Sequence, residues 1–198
     1  MMRKKVAVVQ PLIVSGGGTE AVTAWTLEAL KKDHQMSLIS FTSVDTGTLN
    51  RFYGTDLRED EVRVKMGASG VCHSDYSIVD GTIPVEFPIV LGHEGAGVVE
   101  EVGQHVTTIK SGDHVVLTYI PQCGKCYYCT TGKSNLCETT SFTRTGALPN
   151  GHRPMMRGGE PIKQMAGIGT MSEYSIVHET SAIAIDPEIP LDKAALVG

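Results

Sequence analysis

The sequence predicts a mixed α+β chain that is mostly β, in which a single β-α-β unit precedes a partly open, barrel-like β domain with a cysteine lobe. Two observations lead to this prediction. Up to about residue 61, two apolar runs flank a glycine-rich loop and an amphipathic stretch, which is the order of a β-α-β unit. From Val62 onwards, short β-branched runs alternate with glycine and proline, as in small β-barrels. We therefore expect two domains, residues 1–61 and 62–198.

Composition excludes several classes of function. The chain has 198 residues, of which 41% are hydrophobic and 20% charged, and its formal net charge is −5. A mildly acidic chain without a run of lysine and arginine is not expected to bind nucleic acid or a membrane surface. The apolar run after the N-terminal Met-Met-Arg-Lys-Lys is too short for a signal peptide, and no segment reaches the roughly 18 apolar residues of a membrane span. We expect a cytoplasmic protein with reduced thiols.

The first domain is predicted to be one Rossmann-like β-α-β unit. Its elements are a strand at Val6–Val9, a helix at Thr19–Lys32 and a strand at Met36–Phe41, followed by a polar loop with a short helix at Leu49–Tyr53. The loop before the first helix has the sequence Gly-Gly-Gly-Thr-Glu-Ala from Gly16, which fits the G-x-G-x-x-(G/A) pattern of phosphate-binding loops. Two interpretations stay open: a phosphate cradle with Asp45 as a ribose-binding acid, or a tight turn with close backbone packing.

The second domain is predicted to consist of short strands joined by turns. The expected strands are Val62–Met66, Gly95–Val102, His114–Thr118, Glu173–Val177 and Ala182–Ile185. Each is a β-branched run bounded by glycine, proline or polar residues, so each is long enough for a barrel strand and too short for a helix. The segment Phe142–Met165 shows no such periodicity and is expected to be a long loop.

A cysteine lobe at residues 121–140 is the strongest chemical signal in the sequence. Four of the five cysteines of the chain occur here with the spacing C-x2-C-x2-C-x7-C, at Cys123, Cys126, Cys129 and Cys137. Four thiolates at roughly 2.3 Å around one zinc ion form a closed structural site. The intervening residues are largely polar, so we expect the metal to supply the ordering free energy of the lobe. The alternative is a set of free or disulfide-paired thiols.

A second group of residues has the chemistry of a catalytic metal site. Cys72 and His93 offer a thiolate and an imidazole, and Glu94 adds a carboxylate beside them, leaving an open position for water or substrate. Asp75 is expected to hold the second imidazole nitrogen, and Ser74 to pass a proton outward. Taken singly, each residue has a plainer interpretation: a buried cysteine as core filling, a histidine in a turn, a glutamate facing water. The combination favours the metal site.

Together, these motifs resemble the zinc-dependent medium-chain alcohol dehydrogenases, whose catalytic domain has a GroES-like fold. The resemblance runs from about Val62 to Gly198 and includes the pattern G-H-E-x-x-G-x-V that begins at Gly92. It implies that Cys72 and His93 bind a catalytic zinc onto which Glu94 can exchange, and that the lobe cysteines hold a structural zinc. It further implies that Ser74 starts a proton relay and that His73 contacts the pyrophosphate of an NAD(P) cofactor. The substrates of the family are small alcohols and aldehydes.

The sequence departs from this family in two places. Some members end the proton relay with a histidine three residues after the relay hydroxyl, where this chain has Ser77. In the family, the motif Ala-Leu-x-Gly is followed by a third cysteine ligand and then by the NAD-binding domain, whereas this sequence ends at Gly198. On this interpretation the chain is truncated. We therefore expect weak or absent catalytic zinc, no binding of NAD(P) and no autonomous activity, although the lineage is that of an oxidoreductase.

Residues 6–64 resemble a different family, the start of a GT-B glycosyltransferase. The residues that carry this resemblance are Pro11–Glu20 and Trp25–Leu30. The chain is then interpreted as a chimera in which this segment replaces the first strands of the barrel. Barrel edges left uncovered in this way are expected to promote self-association. Three functions are weighed: a dehydrogenase catalytic-domain fragment, a non-catalytic zinc-binding fragment, and a glycosyltransferase remnant that binds a nucleotide sugar.

Overall fold

A computed structural model of the chain describes residues 4–9, 34–39, 57–157 and 160–198. The chain divides into two compact units, one formed by Met1–Asp56 with Met156–Pro161 and the other by Leu57–Met155 with Ile162–Gly198. No helix among the described residues is long and apolar enough to cross a membrane.

Among the described residues, the first unit contains two short sheets. Strand β1 (Lys4–Val9) pairs in parallel with β2 (His34–Ile39), in register from Lys4 with His34 to Val9 with Ile39. Both predicted strands are therefore present, although each begins two residues earlier than expected. The predicted helices at Thr19–Lys32 and Leu49–Tyr53, and the glycine loop with Asp45, lie outside the described residues.

The second unit is built on a five-stranded antiparallel sheet. Its strands are β3 (Glu61–Ser69), β5 (Gly95–Val102), β6 (His114–Leu117), β10 (Tyr174–His178) and β11 (Ala182–Ile185), in the order β10-β3-β5-β6-β11. The two edge strands, β10 and β11, are joined by the 3-residue 3₁₀ helix Glu179–Ser181. Because so short a link connects opposite edges, the sheet must curl until those edges approach. The predicted barrel-like β domain is confirmed in this form.

The remaining elements are short and lie between these strands. They are helices α1 (His73–Val79), α2 (Tyr127–Thr130) and α3 (Leu191–Ala194), strands β4 (Ile89–Val90), β7 (Met156–Arg157), β8 (Glu160–Pro161) and β9 (Lys163–Gln164), and 3₁₀ helices Ser134–Leu136, Glu138–Arg144, Met165–Gly167 and Ala195–Val197. Strand β4 pairs in parallel with β9. The hairpin β7–β8 is the second short sheet of the first unit.

The core lies on one face of the curled sheet, because alternate strand residues point to the same side. The buried cluster consists of Val62, Val64, Val99, Ile109, Val115, Leu117, Ile168, Val177 and Ala182. Burying each valine or leucine contributes roughly 1.5–3 kcal/mol. A smaller cluster of Ala96, Ala194 and Ala195 packs α3 and the turn after it against the sheet. The small alanine side chains at these positions allow the short helix to approach closely.

The segment predicted as a long loop, Phe142–Met165, is anchored rather than free. Phe142 and Leu148 are buried, and the segment contains the end of a 3₁₀ helix and the three short strands β7, β8 and β9. A buried ion pair also holds it: His152 Nδ1 lies 2.6 Å from Oε1 of Glu61 in β3, whose side chain is fully buried. The expected long loop is therefore interrupted by short strands, which the sequence pattern did not predict.

Several hydrogen bonds determine the pKa of Glu61. Burial alone would raise it, but hydrogen bonds from His152, the Arg58 backbone amide and Asn150, together with the charge of His152, outweigh burial and lower the pKa from its ordinary value of 4.5. The ionised carboxylate is therefore the form that the fold stabilises.

Candidate metal centres

The four cysteines of the lobe converge on one point. All four sulfur atoms lie within 4.8 Å of one another. Cys126 precedes α2 at its N-cap position, Cys129 lies on that helix and Cys137 follows the 3₁₀ helix Ser134–Leu136. These two short helices turn the chain so that the four thiols face one another, as the spacing predicts. None of the five cysteines of the chain is paired in a disulfide.

The sulfur geometry fits a tetrahedral metal site. Cys123 Sγ lies 4.0 Å from Cys129 Sγ, and Cys126 Sγ lies 3.9 Å from Cys137 Sγ. A tetrahedron with metal–sulfur bonds of roughly 2.3 Å has edges of about 3.8 Å. Two backbone amides also point at sulfur, from Cys126 to Cys123 Sγ and from Cys123 to Cys137 Sγ, each at 3.4 Å. Such donors stabilise thiolates, so the donor set suits zinc.

The thiols of the lobe differ in pKa. Burial raises the pKa of Cys129 to about 12. Burial acts in the same direction on Cys137, but hydrogen bonds from Thr139 and from backbone amides outweigh it and lower that pKa to about 6. Hydrogen bonds involving Cys129 and Glu138 lower the pKa of Cys126 as well. Some thiols of the lobe are therefore ready to bind as thiolates at neutral pH, and the remaining protons must leave when a metal binds.

A second cluster brings together Cys72, His93 and Glu94, whose ligand atoms also lie within 4.8 Å of one another. Cys72 is the N-cap residue of α1, and His93 and Glu94 form the turn that enters β5. The ligands therefore come from two segments that the sheet brings into contact. Gly92, with a φ of +92°, makes the turn that directs His93 inward, and this backbone conformation favours glycine.

Asp75 ties the two segments of this cluster together. Its Oδ2 accepts a hydrogen bond from the Cys72 amide and its Oδ1 accepts one from the Gly92 amide, both at 2.9 Å. Oδ1 also lies 3.5 Å from His93 Nδ1, which is an ion-pair distance rather than a hydrogen bond. Asp75 is 2% exposed. The carboxylate thus faces Nδ1 and leaves the other ring nitrogen for the cluster, but the expected hydrogen bond to Nδ1 is not formed.

Ser74 lies between two of the ligand side chains. Its Oγ is 3.2 Å from Cys72 Sγ and 3.2 Å from His93 Nε2. The predicted relay hydroxyl is therefore within hydrogen-bonding distance of both. Ser77, at the relay position where some members of the family have a histidine, lies 3.3 Å from His73 Nδ1. His73 itself is on the exposed side of α1.

Tyr119 is a residue of this site that the sequence analysis did not identify. Its ring packs edge-on against the His93 ring, with the ring centroids 5.7 Å apart, and Tyr119 is 44% exposed. It thus borders the cluster on a side that is open to solvent. The available signal was its position, an aromatic residue just after β6 and just before Pro121 and the cysteine lobe.

The comparisons with known proteins concern the second unit. The profile of the family described as "Alcohol dehydrogenase GroES-like domain" matches residues 58–187. The NDMA-dependent alcohol dehydrogenase of Amycolatopsis methanolica is 47% identical over 141 residues, covering 71% of this chain and 38% of that protein. The S-(hydroxymethyl)glutathione dehydrogenase of Saccharomyces cerevisiae is 48% identical over 141 residues, covering 70% of this chain and 36% of that protein.

Solved structures show the same similarity. An alcohol dehydrogenase zinc-binding domain protein from Burkholderia ambifaria superposes with a TM-score of 0.65 at 40% identity, covering 71% of this chain and 39% of that one. Benzyl alcohol dehydrogenase from Acinetobacter calcoaceticus gives a TM-score of 0.59 at 32% identity, covering 72% and 38%. This chain therefore spans less than two fifths of the length of the relatives it matches.

Proposed function

Because the chain belongs to the family of alcohol dehydrogenase GroES-like domains, we propose that its second unit is the zinc-binding part of an alcohol dehydrogenase catalytic domain. The observation that carries the proposal is the convergence of Cys72, His93 and Glu94 within 4.8 Å. A thiolate and an imidazole with a neighbouring carboxylate form a donor set suited to catalytic zinc. The relatives named above are alcohol dehydrogenases or act on a hydroxymethyl compound, so the proposed substrates are small alcohols and aldehydes.

The proposed mechanism assigns a role to each residue of the cluster. When bound, zinc supplies Lewis-acid polarisation of an alcohol or carbonyl oxygen. Cys72 and His93 would hold the ion, and Glu94 would be the neighbouring carboxylate able to exchange onto it. Asp75 keeps His93 Nε2 directed at the cluster by occupying the Nδ1 side, 3.5 Å away. Such outer contacts fix the ring orientation and raise the basicity of the ligand.

Ser74 is the proposed first acceptor of the substrate proton. Its hydroxyl lies between Cys72 Sγ and His93 Nε2 at 3.2 Å from each, so it can reach a group bound beside both. We propose that the proton then passes to water, because Ser77 rather than a histidine occupies the relay position. His73, exposed and one residue from Ser74, is proposed to contact the phosphates of NAD(P).

The four-cysteine lobe is proposed to hold a structural zinc. A closed set of four sulfurs leaves no position for substrate, so this site contributes folding free energy and not chemistry. We propose further that the 198 residues alone bind NAD(P) weakly or not at all and do not turn alcohol over. Hydride transfer needs the cofactor held against the substrate oxygen, and the matched portion is the GroES-like domain, a minor share of each relative.

Cobalt binding tests the proposed catalytic site. The lobe is first filled with one equivalent of zinc, and Co²⁺ is then titrated while thiolate-to-cobalt absorption is recorded. We expect a second, weaker site, and its absorption is lost in Cys72→Ser. The absorption of this site is retained in Cys129→Ser, which is titrated without the zinc pre-loading. No absorption that depends on Cys72 would overturn the proposal. An NAD⁺-dependent alcohol assay and an NADH fluorescence titration on the same protein are expected to show neither turnover nor binding, and turnover would overturn the proposed inactivity.

The origin of the first unit is a separate proposal. The parallel pairing of Lys4–Val9 with His34–Ile39 suits the start of a Rossmann-like unit, because parallel neighbours require a crossover connection. The family match begins only at residue 58. These observations are compatible with a glycosyltransferase-like segment fused to the dehydrogenase domain in one chain, which is the origin we propose. A fluorescent nucleotide sugar that binds residues 1–61 would favour a functional remnant, whereas the absence of binding leaves a non-catalytic chimera as the better description.

A further inference from the structure

Thr170 is far from His93 and Glu94 in sequence but forms hydrogen bonds to the backbone on both sides of His93. Thr170 is 1% exposed and belongs to the segment between the 3₁₀ helix Met165–Gly167 and β10. Its backbone amide donates to the carbonyl of Gly92 at 3.1 Å. Its hydroxyl donates to the carbonyl of Glu94 at 3.2 Å. Thr170 therefore forms hydrogen bonds to the backbone on both sides of His93.

We propose that Thr170 is a positioning residue that holds the His93–Glu94 dipeptide in the geometry needed to bind the catalytic metal. This inference rests on the proposed metal site. Two bonds from one residue to carbonyls that flank His93 fix the peptide planes from which both ligand side chains project. Neither bond involves a ligand atom, so Thr170 acts through the backbone.

The hydroxyl network around the Glu94 carbonyl defines what Thr170 contributes. This carbonyl accepts from the Gly70 amide at 2.9 Å, and the hydroxyls of Ser69 and Thr170 each lie 3.2 Å from it. The two hydroxyls are 2.8 Å apart. Ser69 Oγ also lies 3.5 Å from the Gly70 carbonyl. The Thr170 hydroxyl donates its one proton to the Glu94 carbonyl, so the Thr170 oxygen can at the same time accept a hydrogen bond from Ser69.

Burial indicates which hydroxyl matters more. Ser69 is exposed and can exchange its hydrogen bonds with water. Thr170 is enclosed, and a buried hydroxyl that loses its partner costs the full desolvation penalty. We therefore expect the Thr170 hydroxyl to fix Glu94 more strongly than that of Ser69 does.

The methyl group of Thr170 has a separate role. A Cβ on Gly95 would lie 2.7 Å from Thr170 Cγ2, so the methyl fills the space over this glycine. A Cβ on Gly92 would overlap the Thr170 hydroxyl. Hydroxyl and methyl can consequently be removed one at a time, by Thr170→Val and Thr170→Ser. The first keeps the shape of the side chain and the second keeps its hydrogen bond.

The test measures Co²⁺ affinity at the cluster in the full 198-residue chain after the lobe has been filled with zinc. We expect Thr170→Val to lower the Co²⁺ affinity of the cluster roughly tenfold, which corresponds to the loss of one hydrogen bond. The affinity is measured from the Cys72-dependent cobalt absorption. Thr170→Ser is expected to stay within about twofold of the unaltered chain, and Ser69→Ala to weaken binding about threefold, because water can replace the serine hydroxyl. The zinc content of the lobe is expected to be the same in all four proteins.

The outcomes separate the inference from the proposal on which it rests. If the unaltered chain shows no Cys72-dependent cobalt site, both are wrong. If it shows the site and Thr170→Val binds cobalt as well as the unaltered chain does, only the positioning role is wrong, even where that variant unfolds at a lower temperature. Equal weakening by Thr170→Val and Thr170→Ser would also overturn the inference, because packing rather than the hydroxyl would then govern the site.

Discussion

The cysteine lobe and the Cys72–His93–Glu94 cluster gather metal ligands in opposite ways. The lobe takes all four sulfurs from Cys123–Cys137, a stretch with little apolar burial of its own besides Cys137. The cluster takes its ligands from two segments that the five-stranded sheet brings together, and buried Asp75 joins them. In the lobe, the metal must order the polypeptide, whereas in the cluster the polypeptide orders the site before any metal arrives. The first site is therefore expected to fail locally when a ligand is lost, and the second to fail only in its chemistry.

The largest effect is expected from Cys137→Ser, which removes the most buried ligand of the lobe, 3% exposed. We expect the zinc affinity of the lobe to fall by more than about a hundredfold. Loss of a residue that only hydrogen-bonds to a metal ligand costs up to about a hundredfold, and Cys137 is itself a ligand. Chelator competition measures the affinity, and amide hydrogen exchange is expected to show lost protection across residues 123–137.

The matched control is Cys72→Ser, which alters the other cluster by the same chemical change. It is expected to leave the lobe zinc and the amide protection unchanged. Equal loss of lobe zinc in both variants would mean that the two sites are not independent, and the contrast drawn between them would be wrong.

The next effect concerns Asp75→Asn. A carboxamide can accept from only one of the Cys72 and Gly92 amides and turns an N–H₂ group towards the other. We expect the free energy of unfolding to fall by about 2–3 kcal/mol, because a buried donor is left without a partner. Urea unfolding of the zinc-loaded chain measures it.

Asp80→Asn serves as the control for that variant, since exposed Asp80 caps a turn by accepting from the Thr82 amide at 2.8 Å. We expect little change in unfolding for this exposed carboxylate. If the two variants are equally destabilised, burial at the cluster does not set the effect, and the site is less preorganised than the account requires.

Acid is expected to destabilise the second unit through Glu61 and, separately, to displace metal from the cysteine lobe, and Glu61→Gln distinguishes these two effects. The pKa of Glu61 is lowered in the folded state, so the ionised carboxylate stabilises the fold above its ordinary value of 4.5, and this contribution is lost as pH falls through the lower folded-state value. We expect Glu61→Gln to lose about 1–2 kcal/mol at neutral pH and to converge with the unaltered chain in acid.

Thermal unfolding at a series of pH values measures this difference. Glu86→Gln is the control, because exposed Glu86 pairs with Lys163 at the surface and is not expected to alter the curve. A constant difference between Glu61→Gln and the unaltered chain down to the lowest pH would assign the acid sensitivity to displacement of zinc from the lobe instead.

The smallest effect on stability is expected from Gly70→Ala. The added Cβ would overlap Glu94 Oε2, the far end of a flexible side chain, so we expect the carboxylate to turn aside at a cost of less than about 1 kcal/mol. If Glu94 contributes to metal binding, cobalt affinity at the cluster falls. A double-mutant cycle with Glu94→Ala checks this, since that background lacks the carboxylate and leaves only the Cβ of residue 94, 3.0 Å from the added methyl group. An undiminished effect there would show that the methyl group acts on the backbone.

The sequence predicted local features well because local spacing determines them. Strands Gly95–Val102 and Ala182–Ile185 are confirmed at both ends. By contrast, β3 continues three residues beyond the predicted Met66, through Gly67, Ala68 and Ser69, because it pairs across a bulge with the glycines and alanine that begin β5. Small residues of this kind carry no strand signal of their own, so only the partner strand reveals the extension.

The sites show the same limit. The lobe could be read from the spacing of four cysteines, since its ligands are neighbours in sequence. Cys72, His93 and Glu94 needed a family resemblance, because nothing local says that residues 72 and 93 meet. The sequence assigned no role in the site to Tyr119 or to Thr170. Their parts in the site consist of a ring contact and of hydrogen bonds to backbone carbonyls, which depend on tertiary structure.

The most direct test of the account is the number of zinc ions and reactive thiols in the purified chain. We expect one tightly held zinc per chain, with Cys123, Cys126, Cys129 and Cys137 protected from a thiol reagent and Cys72 reactive. Addition of a strong chelator is expected to expose all five cysteines of the sequence and to disorder the lobe. A folded chain that carries no zinc, and whose five thiols all react at once without loss of structure, would contradict the claim that one metal ion holds the lobe together.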